Sequence, residues 1–376
     1  MKEVRIGLIG TGYIGRAHAI AYAQAPTVFN LRGKLVREMV AEVTPELAAQ
    51  RAQAFGFNRS TGDWRALVAD PAIDVVDICS PNHLHKEMAL EAIRHGKHVY
   101  SEKPLALNAH DAYGMVEAAK RAGVKTLVGF NYMKNPTAKL AKEIVERGEI
   151  GEVIHFYGTH NEDYMADPLS PIHWHCFKET AGLGALGDLA AHIVNMAQYL
   201  VGDIQQVCGD LKIVVPERPA QAGSSQKVAV ENEDQAHAMV RFAGGAQGVI
   251  ETSRVACGRK MGLSYVITGT KGTISFTQER MAELKLYLHD DPVNRQGFRT
   301  LLVAAHPDYA AFCLGAGHGI GFNDQKTVEV RDLVDGIAAD VPMWPDFEEG
   351  WKVSRVLDAI ALSHREGRWL NVNDIV

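Results

Sequence analysis

The sequence predicts an α/β protein: an amino-terminal doubly wound parallel sheet, then an α+β domain with a large open, mostly antiparallel sheet. Three observations carry this. Up to about residue 130, short unbroken apolar runs alternate with helical patterns, as parallel strands covered on both faces require. A glycine triplet, Gly10-Thr11-Gly12-Tyr13-Ile14-Gly15, separates the first apolar run from the first helical pattern. Beyond Pro136 the runs lengthen, and Gly244-Gly245 between two of them is a hairpin signal.

The expected strands of the first domain are 4–9, 35–43, 75–79, 98–100 and 126–130. Helical stretches 17–24, 45–55, 84–95 and 109–122 lie between them. Asn108 is placed to cap the last of these and Gly123 to stop it. Asn135 and Pro136 open a helix to about residue 147, and strands follow at 153–159, 207–215, 235–242, 247–254 and 264–269. Residues 221–226 read as a loop, the glycines near 315–321 as a separator, and 346–366 as a final helix that returns toward the first domain. The expected division is 1–132, a dinucleotide-binding domain, and 133–376, a substrate-binding and oligomerisation domain.

A chain of 376 residues suffices for two such cores. Its formal net charge of −6, with no basic run, excludes a phosphate-backbone partner. No stretch reaches the ~20 apolar residues of a membrane span. Glycines 7, 10, 12 and 15 interrupt any signal-like apolar core. Cys79, Cys176, Cys208, Cys257 and Cys313 are scattered without CxxC spacing, which fits a reducing compartment. A cytoplasmic protein is expected.

Gly10 is placed for the tight turn, Gly12 to admit a pyrophosphate and Gly15 to let the helix pack on the sheet. Phosphate charge then meets the free N–H groups of the helix start. Glu42, at the end of the second strand, is placed to accept the adenosine ribose hydroxyls. It lies 27 residues past Gly15, against about 20 in the usual fingerprint, a surplus that fits a loop insertion between Pro26 and Gly33. A carboxylate repels a 2′-phosphate, and Val43-Thr44 offers no cation to attract one, so NAD is expected over NADP. A solvated strand end is the plainer reading of Glu42.

Glu102-Lys103-Pro104 follows the 98–100 strand. A lysine at the carboxyl end of a parallel strand faces the crevice where open sheets bind ligands; by itself the tripeptide also fits a surface turn. In the second domain, a glycine-rich run (181–187) precedes a helix with Leu189, Ile193, Met196 and Leu200 on its core stripe. Asp188 and His192 are four apart and share an adjacent face. His192 can exchange a proton near neutral pH. The flanking glycines would let a ring substrate approach the backbone. Read alone, the pair equally fits an N-capping aspartate and a solvated histidine. His173 and His175 alternate as on one strand face, but no third ligand has clear spacing and no metal is expected. His175 is instead a candidate hydrogen-bond partner for substrate.

With these residues in place, the chain resembles the glucose-fructose oxidoreductase/inositol dehydrogenase/MocA family over essentially its full length. The matching residues are Gly10–Gly15, Ser80-Pro81-Asn82 with His85, Glu102-Lys103-Pro104, Gly129-Phe130-Asn131-Tyr132, and Gly187-Asp188 with His192. Gly317-His318-Gly319 and Asp346–Gly350 match as well. The resemblance is strongest to the branch acting on inositols, L-glucose and levoglucosan. It implies that Lys103 binds the reacting hydroxyl, that His192 takes its proton, and that Asp188 orients both substrate and histidine. It implies cofactor contacts for Tyr13, Ile14, Ser80, Pro81, Asn82, His85, Glu102 and Asn131, with a cis bond before Pro104. Sugar contacts are implied for Trp174, His175 and His318, and a homotetramer for the assembly. Three departures bear on substrate: Trp174-His175-Cys176 where relatives have Trp-Arg and a leucine-like residue, Met133 for arginine, and Asn195 for a carboxylate.

The expected activity is NAD-dependent oxidation of a secondary hydroxyl of a cyclitol or pyranose to the ketone. A glycoside or anhydrosugar 3-dehydrogenase is the near alternative. A non-catalytic NAD-binding sugar sensor is the alternative of another class, against which Lys103, Asp188 and His192 all weigh.

Overall fold

Strand β1 (Glu3–Ile9), buried from Ile6 to Ile9, leads into helix α1 (Tyr13–Val28). Then come β2 (Lys34–Ala41), α2 (Pro45–Phe55), β3 (Arg59–Thr61), α3 (Trp64–Ala69), β4 (Val75–Ile78), α4 (His85–Arg94), β5 (His98–Ser101), α5 (Ala109–Ala122) and β6 (Thr126–Val128). The computed structural model describes residues 1–303, 306, 310–312, 315 and 318–375. The six strands form one parallel sheet in the order β3-β2-β1-β4-β5-β6. The order reverses between β1 and β4, so the crevice beyond their carboxyl ends is the place for a ligand. The segments after β1, β4, β5 and β6, which carry all the expected cofactor residues except Glu42, end at that edge.

Local chemistry explains the helix limits. The Asn108 side chain accepts the Asp111 N–H at 2.8 Å, and Gly123 ends α5 with φ 64° in the left-handed region. Val4, Ile6, Leu8, Val40, Val75 and Leu127 of the sheet pack with Tyr22 of α1 in one buried core.

The second stretch holds α6 (Pro136–Glu146), β7 (Val153–Asn161), the short α7 (Lys178–Ala181), α8 (Ala191–Val201), β8 (Ile204–Lys212), and β9 (Glu217–Pro219) paired with β10 (Lys227–Ala229). After these run β11 (Gln235–Phe242), β12 (Gln247–Ser253), β13 (Gly262–Gly269), β14 (Gly272–Thr277), β15 (Glu283–Leu288) and β16 (Arg299–Leu302). Helices α9 (Phe322–Ala338) and α10 (Phe347–Glu366) and a last strand, β17 (Leu370–Asn371), end the chain. Nine strands make one sheet in the order β16-β15-β14-β13-β7-β12-β11-β8-β17, antiparallel throughout except for β7 with β12. Gly245, with φ 93°, turns the β11–β12 hairpin. Along β11 buried Ala236, Ala238, Val240 and Phe242 alternate with outward Gln235, His237, Met239 and Arg241, so one face is core and the other is open. Helices α8 and α10 cover the core face: a Cβ on Gly158 would meet Ile193, and one on Gly209 would meet Ile360.

The chain divides into two compact units, Met1–Lys134 with Gly321–Lys352, and Asn135–Ile320 with Val353–Val376. The sequence placed the boundary at 132/133 with a return of the 346–366 helix toward the first domain; in the structure the returning segment is Gly321–Lys352, so only the first part of α10 belongs to the first unit. Several elements differ from expectation. Helix α1 runs to Val28 with Pro26 in its last turn, so part of the surplus spacing before Glu42 is helix rather than inserted loop. Strand β8 starts three residues earlier than expected, and β2 stops at Ala41. Strands β3 and β14–β17 and helices α3 and α9 were not expected at all. No described helix is long and apolar enough to cross a membrane.

Candidate active site

The loop after β1 is built to hold a dinucleotide. Gly10 has φ 85°, and a Cβ there would come within 2.7 Å of the Cys79 carbonyl; at Gly15 it would lie 2.1 Å from the Gly10 carbonyl. A Cβ on Gly12 would meet no protein atom within 4 Å. No side chain caps α1 at Gly12 and its first turn carries no acid, which leaves the leading N–H groups for an anion. A cavity of about 520 Å³ opens beside them, lined by Thr11, Gly12, Tyr13, Arg16, Arg51 and Phe322 among others. Arg16 and Arg51 add positive charge there that no motif in the sequence marks. Tyr13 is exposed, its ring 6.2 Å from that of Phe322.

Glu42 sits just past β2. Its Oε1 accepts the Thr11 N–H at 2.6 Å and the Thr11 hydroxyl at 2.5 Å, and its Oε2 accepts the Val43 N–H at 3.1 Å. The carboxylate is thus tied to the glycine loop rather than solvated alone. Donors at the helix start, the open edge at Gly12 and an acid at the end of β2 fit NAD; when bound, this group supplies a hydride acceptor.

The ends of β4 and β5 are tied together by His85. Its Nδ1 lies 2.8 Å from the Pro104 carbonyl and its Nε2 2.9 Å from the Ser80 carbonyl. Burial lowers its pKa, so the neutral ring donates to one carbonyl at a time. Asn82 is buried behind Ser80-Pro81 at the start of a short 3₁₀ turn. The Lys103–Pro104 bond is cis, as the resemblance implied. Asn131 is buried, its Nδ2 donating to Gln325 Oε1 at 3.1 Å.

Glu102, for which the resemblance implied a cofactor contact, has its carboxylate engaged within the protein. It is 5% exposed and lies within a buried polar network. Its Oε1 accepts from His18 Nε2 at 2.8 Å and from Lys326 Nζ at 2.5 Å, and its Oε2 accepts the Lys103 N–H at 3.3 Å. His18 Nδ1 donates to Asp77 at 2.9 Å, which also accepts from the Tyr22 hydroxyl at 2.7 Å. Burial alone would raise the Glu102 pKa, but Lys326 and His18 outweigh it and hold the carboxyl far below its usual range. Burial likewise opposes charge on His18 and Lys326, yet the neighbouring carboxylates carry both well above their ordinary values. Cys79 also borders His18 and Asp77, and burial pushes its thiol up to about 12. Those three are the only described group with metal-ligand proximity, and Asp77 already occupies His18 Nδ1.

In the second unit, Asp188 lies in a π-helical turn, Leu186–Ala190, that feeds directly into α8 and His192. The two residues therefore come from different helical types, not from successive turns of one α-helix; π-turns of this kind concentrate at functional sites. The Tyr164 hydroxyl donates to Asp188 Oδ2 at 2.6 Å, a partner that no sequence pattern indicated. His192 is buried, its ring 5.6 Å from that of His160, which donates from Nδ1 to the Leu189 carbonyl at 2.9 Å. Of the preceding glycines, Gly184 is packed against backbone, whereas a Cβ on Gly187 would meet only the Leu183 Cβ at 3.1 Å. A Cβ on Gly184 would lie 2.1 Å from the Glu233 carbonyl, so that glycine serves close packing.

His173 and His175 are brought together, though not on a strand: Trp174–Cys176 is a 3₁₀ turn. Their Nδ1 atoms are 2.7 Å apart, one donating to the other, and Trp174 stacks on His175 at 3.6 Å. Buried Arg254 donates to the His175 carbonyl at 3.1 Å and pairs with Asp234 at 2.8 Å, fixing the turn from below. Met133 and Asn195 are both buried. His318 is exposed, and Gly317 beside it lies outside the described residues.

Residues 4–130 match the model of an oxidoreductase family with an NAD-binding Rossmann fold, and residues 138–275 that of the GFO/IDH/MocA C-terminal domain. A levoglucosan dehydrogenase from Pseudarthrobacter phenanthrenivorans is 41% identical, with all of both chains covered. The chain belongs to the GFO/IDH/MocA oxidoreductase family. A solved levoglucosan dehydrogenase in complex with NADH and levoglucosan superposes with a TM-score of 0.95 at 41% identity, covering 99% of this chain and 100% of that one. A myo-inositol 2-dehydrogenase from Thermotoga maritima is 31% identical over 67% of this chain and 69% of its own. As a GFO/IDH/MocA oxidoreductase, the chain is an NAD-dependent dehydrogenase, and the glycine loop described above lies within the matched NAD-binding Rossmann domain. Tyr164 and Lys326 were out of reach of sequence reading because each meets its partner, Asp188 or Glu102, far along the chain.

Proposed function

We propose that this dehydrogenase oxidises a secondary hydroxyl of a cyclitol or pyranose to the ketone. The observation that carries the reading is the full-length 41% identity to a levoglucosan dehydrogenase, joined to the presence of Lys103, Asp188 and His192. Lys103 places its ammonium on the reacting oxygen and stabilises the alkoxide as it forms. His192 accepts the hydroxyl proton, and Asp188, steadied by the Tyr164 hydroxyl, orients the ring and the histidine. The carbinol hydrogen leaves as hydride to the bound cofactor, so one proton and one hydride depart for each carbonyl formed. The levoglucosan relative favours a second reading within the same chemistry, an anhydrosugar or glycoside 3-dehydrogenase.

NAD reduction against inositols, L-glucose, levoglucosan and methyl glycosides tests both. His175 stands where relatives carry arginine, and an imidazole and a guanidinium bind different hydroxyl pairs. His175→Arg is expected to reorder kcat/KM among four or more ring substrates, about tenfold for ~1.4 kcal/mol, while NAD affinity holds. An unchanged ranking removes His175 from sugar recognition.

The open face of the nine-stranded sheet, with Ile154, Tyr157 and Met239 exposed, supports self-association as a homotetramer. A light-scattering mass of about four 41.1 kDa chains is the expected result, and a monomer mass overturns it. The free thiols Cys79, Cys176, Cys208 and Cys257 support a reducing, cytoplasmic setting.

A further inference from the structure

Lys326 is a fully buried lysine on α9, more than 220 residues from the loop it touches. Its ammonium bridges Glu102 Oε1 at 2.5 Å and Glu329 Oε2 at 3.0 Å. The same Glu329 oxygen accepts the Tyr100 hydroxyl at 2.7 Å. Tyr100 and Glu102 are two apart on extended chain and so share a face. Lys326 and Glu329, three apart on a helix, are likewise neighbours. The four side chains close a ring that clamps the carboxyl end of β5 to α9. His18 grips the same two residues from α1, stacking on Tyr100 at 4.7 Å and donating to Glu102 at 2.8 Å. Gly129 completes the constraint, since a Cβ there would lie 2.2 Å from Glu102 Oε1.

The clamp engages Oε1 of the carboxylate, while Oε2 accepts the Lys103 N–H. Strand β5 ends at Ser101 and the chain bends at Lys103, so holding the Glu102 carboxylate holds the Lys103 backbone through its N–H. A buried ion pair is poor evidence for stability, because well-packed apolar residues would serve α9 as well. We propose that Lys326 is a positioning residue for the reaction, setting the backbone of Lys103 through the Glu102 carboxylate. The inference rests on the role given to Lys103 above.

The test uses the full chain and any ring substrate that the wild type oxidises. A misplacement of about 1 Å can cost about 10²-fold, so Lys326→Met is expected to lower kcat at least ~10-fold. NADH affinity by fluorescence titration should stay within about threefold, since Lys326 bonds Glu102 and Glu329 and is not part of the cavity lining at Gly12. The double variant Lys326→Met/Glu102→Gln removes both charges of the pair. It is expected to recover thermal stability without recovering kcat. Recovery of kcat along with stability would show charge balance alone and overturn the proposal, as would a single variant with wild-type kcat. Should Lys326→Met not fold, Tyr100→Phe deletes only the phenol oxygen that anchors Glu329. It is expected to lower kcat about threefold at unchanged NADH affinity, and an unchanged kcat overturns the proposal. Lys103→Met, measured alongside, separates the two ideas. An active Lys103→Met overturns the role of Lys103 and the inference with it; an inactive Lys103→Met beside a fully active Lys326→Met overturns the inference alone.

Discussion

Replacing Lys103 by Met is expected to cut kcat by about 10²–10³ while the protein still folds and binds NADH. The side chain keeps its approximate length and loses its charge. What is lost is the preorganised cation at the oxygen whose negative charge develops as the proton leaves. In free energy this is about 3–4 kcal/mol of transition-state stabilisation. The fold should survive because the contact that sets this loop is the backbone N–H of Lys103 to Glu102, which the substitution retains. The cis peptide and the His85 contact with the Pro104 carbonyl are backbone features as well. Lys103→Arg keeps the charge but changes its shape, and a planar fork does not replace a compact ammonium. Partial activity is expected, above Met and below wild type. Steady-state kinetics with circular dichroism and NADH titration decide the matter. A Lys103→Met enzyme within tenfold of wild type, at equal folding and cofactor affinity, sinks the assignment.

The first unit was readable in sequence because its signals are local. The α2 and α5 boundaries follow from Pro45, Asn108 and Gly123, each acting within one turn. The glycine loop and the strand alternation likewise need no distant partner. Helix α9 shows the opposite case. Gln325, Lys326, Thr327, Val328, Glu329 and Val330 are six consecutive buried residues, four of them polar, so no amphipathic period marks the helix. Its burial makes sense only once Glu102, Tyr100 and Asn131 are known to face it. The partners of Glu102 were hidden for the same reason, since nothing beside it in sequence reveals Lys326 and His18. In the second unit, the stripe of Leu189, Ile193, Met196 and Leu200 correctly marked a buried face. The π-turn beneath Asp188 was invisible because residue type alone does not set hydrogen-bond register. Strands β14–β16 were missed although β14 and β15 alternate in burial, with Ile274, Phe276, Leu284 and Leu286 inward.

His192→Ala is expected to lower kcat by about 10²–10⁴ near neutral pH, the range for loss of a general base. The residue is buried in the first turn of α8, beside a His160 ring held by the Leu189 carbonyl, so the acceptor is set in a fixed frame. Without it, the hydroxyl proton must leave to solvent. That route quickens as hydroxide becomes available, so the deficit should narrow as pH rises from about 7 to about 10. Lys103 responds differently: its cation stabilises charge rather than accepting a proton, and the Lys103→Met deficit should not close along the same curve. The substitution also leaves room for an imidazole ring, and added imidazole is expected to restore part of the rate in His192→Ala. It should restore nothing in Lys103→Met. NADH affinity should hold in both, because neither side chain belongs to the Gly10–Gly15 loop, to Glu42 or to the cavity beside them. A His192→Ala enzyme with near-wild-type kcat at pH 7 would falsify the proton-acceptor role. A deficit equal at every pH and untouched by imidazole would make His192 a positioning group instead.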